Sequence, residues 1–212
     1  MNMFSIVLVV SPHTDDGEIG AGGTIARFVE EGKEIYYMAF SSCEISVPKQ
    51  FPGDILKIEC KKATEILGIR NKNLILMDYG VRTFPLHRQE ILDDMIALNK
   101  QIKPDLVLVP SSNDIHQDHR IVYKEALRAF KKTSSIWGYE HPWNNLTFTT
   151  DIFVRLEEKH IKKKIEAMKQ YKSQDFRTYF DENYIRALAY MRGTQVDYPF
   201  AETFELLRLL VR

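Results

Sequence analysis

Residues 4–16 read FSIVLVVSPHTDD, an apolar run that leads directly into a histidine and two adjacent carboxylates. The apolar part, residues 4–10, is short and rich in β-branched side chains, which is typical of a strand buried on both faces of a parallel sheet. A glycine-rich segment follows at residues 17–23. We therefore expect the sheet to begin here, with a polar cluster at the end of its first strand.

Short apolar runs alternate with helical patterns from the first strand to residue 132. Glycine or proline follows three of the helical patterns, and both residues commonly end a helix. The order β-α-β-α-β-α-β-α favours a three-layer α/β/α fold with a mostly parallel, Rossmann-like, doubly wound sheet. The expected strands are residues 4–10, 34–40, 74–77 and 105–109, and the expected helices are residues 24–31, 54–67, 89–102 and 121–132.

The chain departs from this alternation after residue 135. Residues 136–139 and 148–156 are strand-like with no helical pattern between them, so we expect a hairpin-like excursion. We interpret the whole chain as one domain, with a core at residues 1–135 and C-terminal elements at residues 136–212 that complete the site. The expected later helices are residues 157–171 and 182–191.

The composition of the 212 residues fits one globular domain with a hydrophobic core, since 44% of them are apolar. Lysine plus arginine and aspartate plus glutamate are balanced at 29 each, so no net charge attracts nucleic acid or an anionic membrane. The N-terminal apolar run is too short to span a membrane and lacks the basic flank of a signal peptide, so we expect a cytoplasmic protein. Cys43 and Cys60 have no motif partner and are expected to be free.

Two polar clusters follow the first and fourth predicted strands, at residues 13–16 and 116–119. In a doubly wound sheet of order 3-2-1-4-5 these strands are neighbours, and ligands bind where their ends meet. The clusters combine imidazole and carboxylate groups, the donor set of zinc or of another divalent metal such as Fe²⁺. Adjacent Asp15 and Asp16 cannot easily point the same way, so one can bind a metal while the other faces the reaction. The sequence therefore predicts a catalytic metal site.

Other interpretations of these residues stay open. Aspartate and threonine are common helix N-caps, so each cluster can serve simply to begin a helix. The glycines at residues 20–23 suggest a dinucleotide-binding loop, but the G-x-G-x-x-G pattern requires glycine where Ile25 stands. The placement of both clusters at neighbouring strand ends favours a metal site over two unrelated caps.

At these residues the sequence resembles the PIG-L/LmbE-like family of zinc-dependent N-acetylglucosaminyl deacetylases. The family's first motif, H-P-D-D followed by Gly-Gly-Thr, is matched by residues 13–16 and 22–24, with Thr14 in place of proline. Its second motif, H-x-D-H, is matched by residues 116–119. Weaker matches cover nearly the full length: E-x3-A-x3-L-G at residues 59–68, Arg-Gly at residues 192–193 and Ala-Glu-x-Phe at residues 201–204.

The resemblance implies a metal-dependent amide hydrolysis and assigns the first roles. It implies that His13, Asp16 and His119 bind the metal and that Asp15 is the general base. A bound Zn²⁺ lowers the pKa of its water to about 7 and polarises the acetamide carbonyl, so Asp15 needs only to accept one proton. The implied products are acetate and a free amino sugar.

The resemblance also implies roles for residues outside the metal set. His116, in its protonated form, is implied as a second acid/base or oxyanion-stabilising group, with Asp118 orienting its ring. Gly23 and Arg192 are expected to contact substrate, the glycine by allowing close approach of the backbone. An ion pair between Arg192 and Glu202 is the alternative for the arginine, since structural ion pairs are common.

We interpret the protein as a metal-dependent hydrolase that removes the N-acetyl group from a GlcNAc-containing glycoside or conjugate. A small-molecule substrate of this type is the expected partner, nucleic acid is not, and homo-oligomer formation stays open. The alternatives are an amidase acting on a larger sugar or thiol conjugate and a non-catalytic sugar- or nucleotide-binding protein on the same scaffold. Residues 137–143, WGYEHPW, form either a sugar-stacking lip or buried aromatic packing.

Overall fold

A seven-stranded sheet with helices on both faces forms the body of the structure, a computed structural model that describes residues 4–211. None of the helices in this range is long and apolar enough to cross a membrane. In chain order the elements are β1 Ile6–His13, α1 Asp16–Glu30, β2 Glu34–Ser41, α2 Ile55–Leu67, β3 Leu74–Leu76, α3 Arg88–Ile102, β4 Leu106–Pro110, α4 Gln117–Phe130, β5 Ser135–Tyr139, β6 Ile152–Leu156, α5 Glu158–Met168, α6 Glu182–Thr194 and β7 Phe200–Arg208.

The strand order is β3-β2-β1-β4-β5-β7-β6, and the first five strands are parallel. This confirms the predicted three-layer α/β/α fold with a mostly parallel, doubly wound sheet and the predicted order around β1 and β4. The expected hairpin after residue 135 is wrong. Strand β7 lies between β5 and β6 and pairs antiparallel with both. Strands β5 and β6 are therefore not paired with each other, and two helices separate β6 from β7 along the chain.

Strand β1 shows why the sheet carries a helical layer on each face. Val7 and Val9 pack into the hydrophobic core shared with α1, α2 and α5, whereas Leu8 and Val10 pack into the core shared with α3 and α4. Successive side chains of a strand point to opposite faces, so an uninterrupted apolar run has both faces covered. The apolar run of β1 thus places the strand at the centre of the sheet, with its polar end free to carry a site.

Helix α1 begins eight residues earlier than the predicted helix at residue 24, because the glycine-rich segment is helical and not a turn. Each glycine lets a neighbouring element approach the helix closely. A Cβ on Gly20 would lie 2.5 Å from the Tyr139 ring, and a Cβ on Gly23 would lie 2.5 Å from Leu156 Cδ1. The glycines therefore seat α1 against β5 and β6 rather than making room for a ligand.

We predict that Gly23→Ala lowers the free energy of unfolding by about 1 to 3 kcal/mol, the usual cost of overpacking a filled interior. The exposed Gly53 is the matched control, because a Cβ there meets no atom within 4 Å. Urea unfolding of the two alanine variants measures the difference. Equal stabilities would contradict the packing role of Gly23.

Candidate metal centre

The two polar clusters meet because β1 and β4 are paired in parallel, with Val7 opposite Leu106 and Val9 opposite Leu108. Strand β1 ends at His13, and α1 begins at Asp16 after a turn of two residues. On the other side a loop leads from β4 to α4, whose N-cap is His116. The fold thus brings both predicted motifs to one edge of the sheet.

Three donor atoms converge at this edge: His13 Nδ1, Asp16 Oδ2 and His119 Nε2. The Asp16 oxygen lies 2.9 Å from His13 Nδ1 and 3.1 Å from His119 Nε2, and the two nitrogens lie 3.3 Å apart. Tetrahedral zinc, with bonds of about 2.0 to 2.2 Å to nitrogen and oxygen, requires its ligand atoms to be roughly 3.3 Å apart. The three residues therefore fit a divalent metal without rearrangement.

Two further histidines border the same donors. His116 has a ring nitrogen within 4.8 Å of donor atoms of both His13 and His119, and His141 has one within the same distance of donor atoms of Asp16 and His119. The His141 Nδ1 atom is fully buried and has no hydrogen-bond partner among the described residues. An unsatisfied buried nitrogen beside converging donors suits a site that gains a partner when a cation binds.

A carboxylate holds each histidine of the donor set from behind. His119 Nδ1 donates to Asp114 Oδ2 at 2.6 Å, and His13 Nε2 donates to Asp118 Oδ2 at 3.1 Å. Each bond leaves the opposite ring nitrogen, the one at the donor cluster, as the atom that binds a metal once the ring has lost its second proton. Carboxylates in this position fix the tautomer and orientation of metal-binding imidazoles.

Asp118 does not orient the His116 ring as the resemblance implied. Its carboxylate faces His13 and also accepts the backbone N–H of Arg82 at 2.6 Å. Only the backbone N–H of Asp118 reaches His116, donating to Nδ1 at 3.2 Å as part of the N-cap of α4. Because α4 begins at Gln117, the Asp118 side chain projects toward β1 and away from the neighbouring ring.

The electrostatics of the donor set are those of buried imidazoles among carboxylates. Burial opposes a charge on His13, but Asp16 and Asp118 outweigh it and raise the pKa of the His13 ring to about 10. For His119 the same balance, with Asp16 and Asp114 as partners, raises the pKa to about 9. Metal ligation requires neutral imidazole, so an incoming cation would displace protons from these rings.

Asp15 is placed differently from its neighbour Asp16. It is the N-cap of α1, is half-buried, lines the cleft in front of the donors, and makes no ion pair among the described residues. Burial and the nearby Asp16 charge raise the pKa of the Asp15 carboxyl to about 6. A carboxylate free to reach a ligand, with a pKa close to neutrality, is suited to proton transfer.

His116 is neutral near neutral pH, contrary to the protonated form expected for it. Burial lowers its pKa to about 4, with the positive charges of His119 and His13 adding to the effect. Because Nδ1 accepts the Asp118 backbone N–H, the ring proton lies on Nε2. A neutral His116 can therefore donate one hydrogen bond from Nε2 but holds no spare proton.

The donors lie in a cleft of about 870 Å³, counted with its open mouth. One wall is aromatic: the rings of Trp143 and Tyr179 stack with centroids 3.9 Å apart and planes 9° apart. Arg177 also lines the cleft, and its guanidinium lies 5.8 Å from the centre of the Tyr179 ring. Of the segment at residues 137–143, Trp137 is buried in the core, as the packing interpretation holds, whereas Trp143 lines the cleft and its sugar-stacking role stays a prediction.

Gly23 does not line this cleft, contrary to the predicted substrate contact, whereas Arg192 lines an adjoining cavity that shares Trp143 and Tyr179 with it, so its substrate contact stays a prediction. The backbone N–H of Gly23 donates to Glu202 Oε1 at 3.0 Å inside the packed interior. Arg192 forms an ion pair, as the structural alternative held, but its partner is Glu140. Glu202 pairs instead with Lys164 at 2.7 Å. These residues hold α1, α5 and α6 against the antiparallel strands.

Sequence reasoning missed Asp114, the place of His141 beside the donors, and Tyr179 of the aromatic wall, although it considered Trp143 as part of a sugar-stacking lip. A signal existed for Asp114, since it stands five residues before His119 in the loop that carries the second motif. His141 and Tyr179 follow no motif, and the long connection from β5 to α6 determines their place. The sheet places His141, at the end of β5, beside Asp16, whose backbone carbonyl accepts its Nε2–H at 3.1 Å.

The fold and these donors define an α/β protein with a metal-type site at the switch point of its sheet. The chain belongs to the PIG-L family: the family profile, described as GlcNAc-PI de-N-acetylase, matches residues 8–130. That range contains both motifs and every carboxylate that holds a donor histidine. The predicted family is thereby confirmed.

Individual proteins with similar sequences include two deacetylases. The chain is 29% identical over 177 residues to "Uncharacterized deacetylase YaiS" of Escherichia coli K12, over 79% of this chain and 90% of that protein. It is 30% identical over 122 residues to diacetylchitobiose deacetylase of Thermococcus kodakarensis, over 54% of this chain and 45% of that protein. The matched part thus spans less than half of the second relative.

Solved structures share the fold across nearly the whole chain. N,N'-diacetylchitobiose deacetylase of Pyrococcus horikoshii superposes with a TM-score of 0.80 at 22% identity, covering 98% of this chain and 86% of that one. GalB of Pseudomonas putida, a 4-carboxy-2-hydroxymuconate hydratase, superposes with a TM-score of 0.77 at 20% identity, covering 98% of each chain. Since a hydratase and a deacetylase share it, the fold alone does not choose the reaction.

We predict that Asp118→Asn weakens metal binding roughly 10- to 100-fold, because the asparagine keeps the shape of the side chain but loses the charge that holds His13. Competition with a chromophoric chelator measures the affinity. Asp151→Asn is the matched control, since Asp151 also accepts a backbone N–H, from Leu206 at 2.8 Å, but unlike Asp118 it holds no histidine of the donor set. Equal affinities in the two variants would contradict the role of Asp118.

Proposed function

We propose that the protein is a metal-dependent N-deacetylase that removes the acetyl group from a GlcNAc-containing glycoside or conjugate, with zinc as the metal. The convergence of three donor atoms beside a half-buried Asp15, at the base of an open cleft, carries the proposal. Membership of a de-N-acetylase family and the similarity to two deacetylases support the reaction. The diacetylchitobiose specificity named for one of them supports an acetamido sugar as substrate.

In this proposal His13, Asp16 and His119 hold the metal, and Asp114 and Asp118 keep the two imidazoles in their ligating tautomer. A zinc ion held there would polarise the acetamide carbonyl and make the attacking water more acidic. The remaining chemistry belongs to the side chains that face the cleft.

Asp15 transfers the proton. Its carboxylate accepts a proton as water attacks the acetamide carbon, and then donates it to the nitrogen as the C–N bond breaks, so that acetate and a free amine leave. A pKa of about 6 allows the same group to take up and release a proton near neutral pH. His116 donates its Nε2–H to the carbonyl oxygen as negative charge develops there.

The aromatic wall gives the cleft a surface for the sugar ring. The stacked rings of Trp143 and Tyr179 stand on the same cleft as Asp15 and His116. Aromatic side chains with a few converging polar groups are typical of small-molecule sites. Because Tyr179 and His141 already stack on the Trp143 ring, we place the sugar against the exposed edge of Trp143, which is 37% exposed, with the acetamido group directed toward the donors.

A free-amine assay over a panel of GlcNAc conjugates tests the proposal, with zinc-loaded protein and Asp15→Asn as the matched variant. Wild type is expected to release amine and acetate in equal amounts, and a chelator is expected to abolish both. The variant is expected to retain its metal and lose roughly 10²- to 10⁴-fold in kcat, the range for removing a general acid–base group.

Two results would contradict this function. The first is a metal-loaded wild type that releases no amine from any conjugate, and the second is turnover that survives in Asp15→Asn. Conjugates with longer acyl groups belong in the same panel. Preferential release of a larger acid would favour the amidase alternative.

The aromatic wall leads to a separate prediction. Trp143→Ala is expected to raise KM roughly tenfold with little change in kcat, because the loss of this apolar contact surface weakens binding without touching the reacting groups. Tyr190→Ala is the control, since Tyr190 is 60% exposed and is not among the residues of the cleft. Steady-state kinetics with one N-acetylated conjugate as substrate measure both variants, and an unchanged KM for Trp143→Ala would contradict the role of Trp143 in sugar binding.

A further inference from the structure

The turn that carries Asp15 is supported from below by a buried polar cluster, defined here as Ser11, Glu18, Tyr37 and Tyr171. All four side chains are at most 1% exposed. None of them lines the cleft, and the function proposed above gives them no role. They come from β1, α1, β2 and the segment after α5, so four parts of the chain meet beneath one turn.

The hydroxyl groups of the cluster bond to the backbone of the turn. Tyr171 Oη donates to the Thr14 carbonyl at 2.7 Å, and Tyr37 Oη approaches the same oxygen at 3.0 Å. Ser11 Oγ donates to the His13 carbonyl at 2.5 Å and accepts the Gly17 N–H at 2.9 Å. The backbone is therefore held on both sides of Asp15.

Glu18 fixes the two tyrosines in turn. Its Oε1 lies 2.7 Å from Tyr171 Oη, and its Oε2 contacts Tyr37 Oη. Both tyrosine hydroxyls therefore contact the Glu18 carboxyl group on one side and the Thr14 carbonyl oxygen on the other. Such a buried network orders every group in it when its members are satisfied together.

The turn needs this support because it is short and carries three residues of the site. His13, Asp15 and Asp16 lie within four consecutive residues, and only Thr14 and Asp15 separate β1 from α1. Strand pairing holds His13, and the helix holds Asp16. Thr14 stands where the family motif has proline and lacks the proline ring that would restrict the backbone of the turn. The orientation of Asp15 therefore depends on the hydrogen bonds that the Thr14 carbonyl accepts.

Tyr171 also connects this turn to the rim of the cleft. It directly precedes a segment with short 3-10 helices at Lys172–Gln174 and Thr178–Phe180, and this segment supplies Gln174, Arg177 and Tyr179 to the cleft. Ser173 in the same segment donates to the buried Glu59 at 2.6 Å. One end of the rim is thus fastened to α2 and to the Asp15 turn together.

We propose that the cluster sets the position of the Asp15 carboxylate and that Tyr171 is a positioning residue for it. The expected kinetic effect rests on the proposed function, whereas the hydrogen bond from Tyr171 to the Thr14 carbonyl does not depend on that function. Tyr171→Phe removes one hydroxyl and keeps the ring that packs edge-on to Phe180. Tyr37 still reaches both Thr14 and Glu18 in this variant, so the fold is retained.

Tyr171→Phe is expected to lower kcat roughly 10- to 100-fold, since small displacements of a reacting group have effects of this size. KM and zinc affinity are expected to stay within about twofold, because the Ser173–Glu59 bond still holds the rim that carries Tyr179 and the donor set keeps its own contacts. A purely structural defect would not separate kcat from KM and metal binding in this way. Steady-state kinetics and a chelator competition measure the three quantities.

Tyr139→Phe is the matched control. Tyr139 is equally buried, and its Oη donates to the Val10 carbonyl of β1 at 3.0 Å, so its variant loses the same kind of bond at a site away from the turn. We expect kcat of Tyr139→Phe to stay near that of wild type. A loss of kcat in Tyr171→Phe no larger than in Tyr139→Phe would overturn the inference.

Amide hydrogen exchange keeps the test independent of activity. The Gly17 amide, which bonds to Ser11 Oγ and Tyr37 Oη, is expected to exchange roughly tenfold faster in Tyr171→Phe, while the Val9 amide in β1 does not change. If wild type deacetylates nothing but Gly17 exchange rises, the proposed function fails and the positioning role stands. If exchange at Gly17 is unchanged, the positioning role fails whatever the activity.

Discussion

The parallel pairing of β1 with β4 is the interaction on which the site depends. It joins His13 to His119, which lie 106 residues apart in the chain and whose ring nitrogens come within 3.3 Å. The pairing is strong because both strands are almost fully buried and continuously apolar, which leaves each with polar residues only at its end. Any other neighbour for β1 on that side would leave two incomplete half-sites. The site is thus a consequence of strand order before it is a consequence of any individual side chain.

A second constraint follows from burying so many charged groups together. Each imidazole of the donor set is hydrogen-bonded to its own carboxylate. One of these bonds joins the two motifs, because Asp118 of α4 accepts from His13 of β1. Asp114, from the loop before α4, holds His119. Removing one member of such a set leaves another buried and unpaired, which costs more than the contact itself contributes. Asp118 also fixes Arg82, whose φ of 68° lies in the left-handed region, so the loop beside the cleft depends on the same carboxylate.

The sequence was sufficient for what depends on local pattern and on topology. The apolar runs and the helix-ending residues predicted the strand order around β1 and β4, and from that order the meeting of residues 13–16 with residues 116–119. It was insufficient where a residue's role depends on a partner far along the chain. Gly23 was expected at the ligand, but Leu156 and Glu202 surround it, because α1 packs on the antiparallel pair of β6 and β7. The placement of β7 between β5 and β6 was missed for the same reason, since no local signal encodes a strand that returns after two helices.

The division of labour between Asp15 and Asp16 shows why motif and fold must be considered together. Consecutive residues at the start of a helix are turned by about 100° from each other, because a turn takes 3.6 residues. Asp16, the first residue of α1, is directed to the imidazoles, and Asp15, its N-cap, is directed to the cleft. A hydratase is among the proteins with the same fold, so the fold does not determine the reaction. The side chains that point toward the imidazoles and toward the cleft determine it. One acid among the imidazoles and one facing the cleft, on adjacent residues of a short turn, is the arrangement on which the proposed amide hydrolysis rests, since simple binding would not require the second acid.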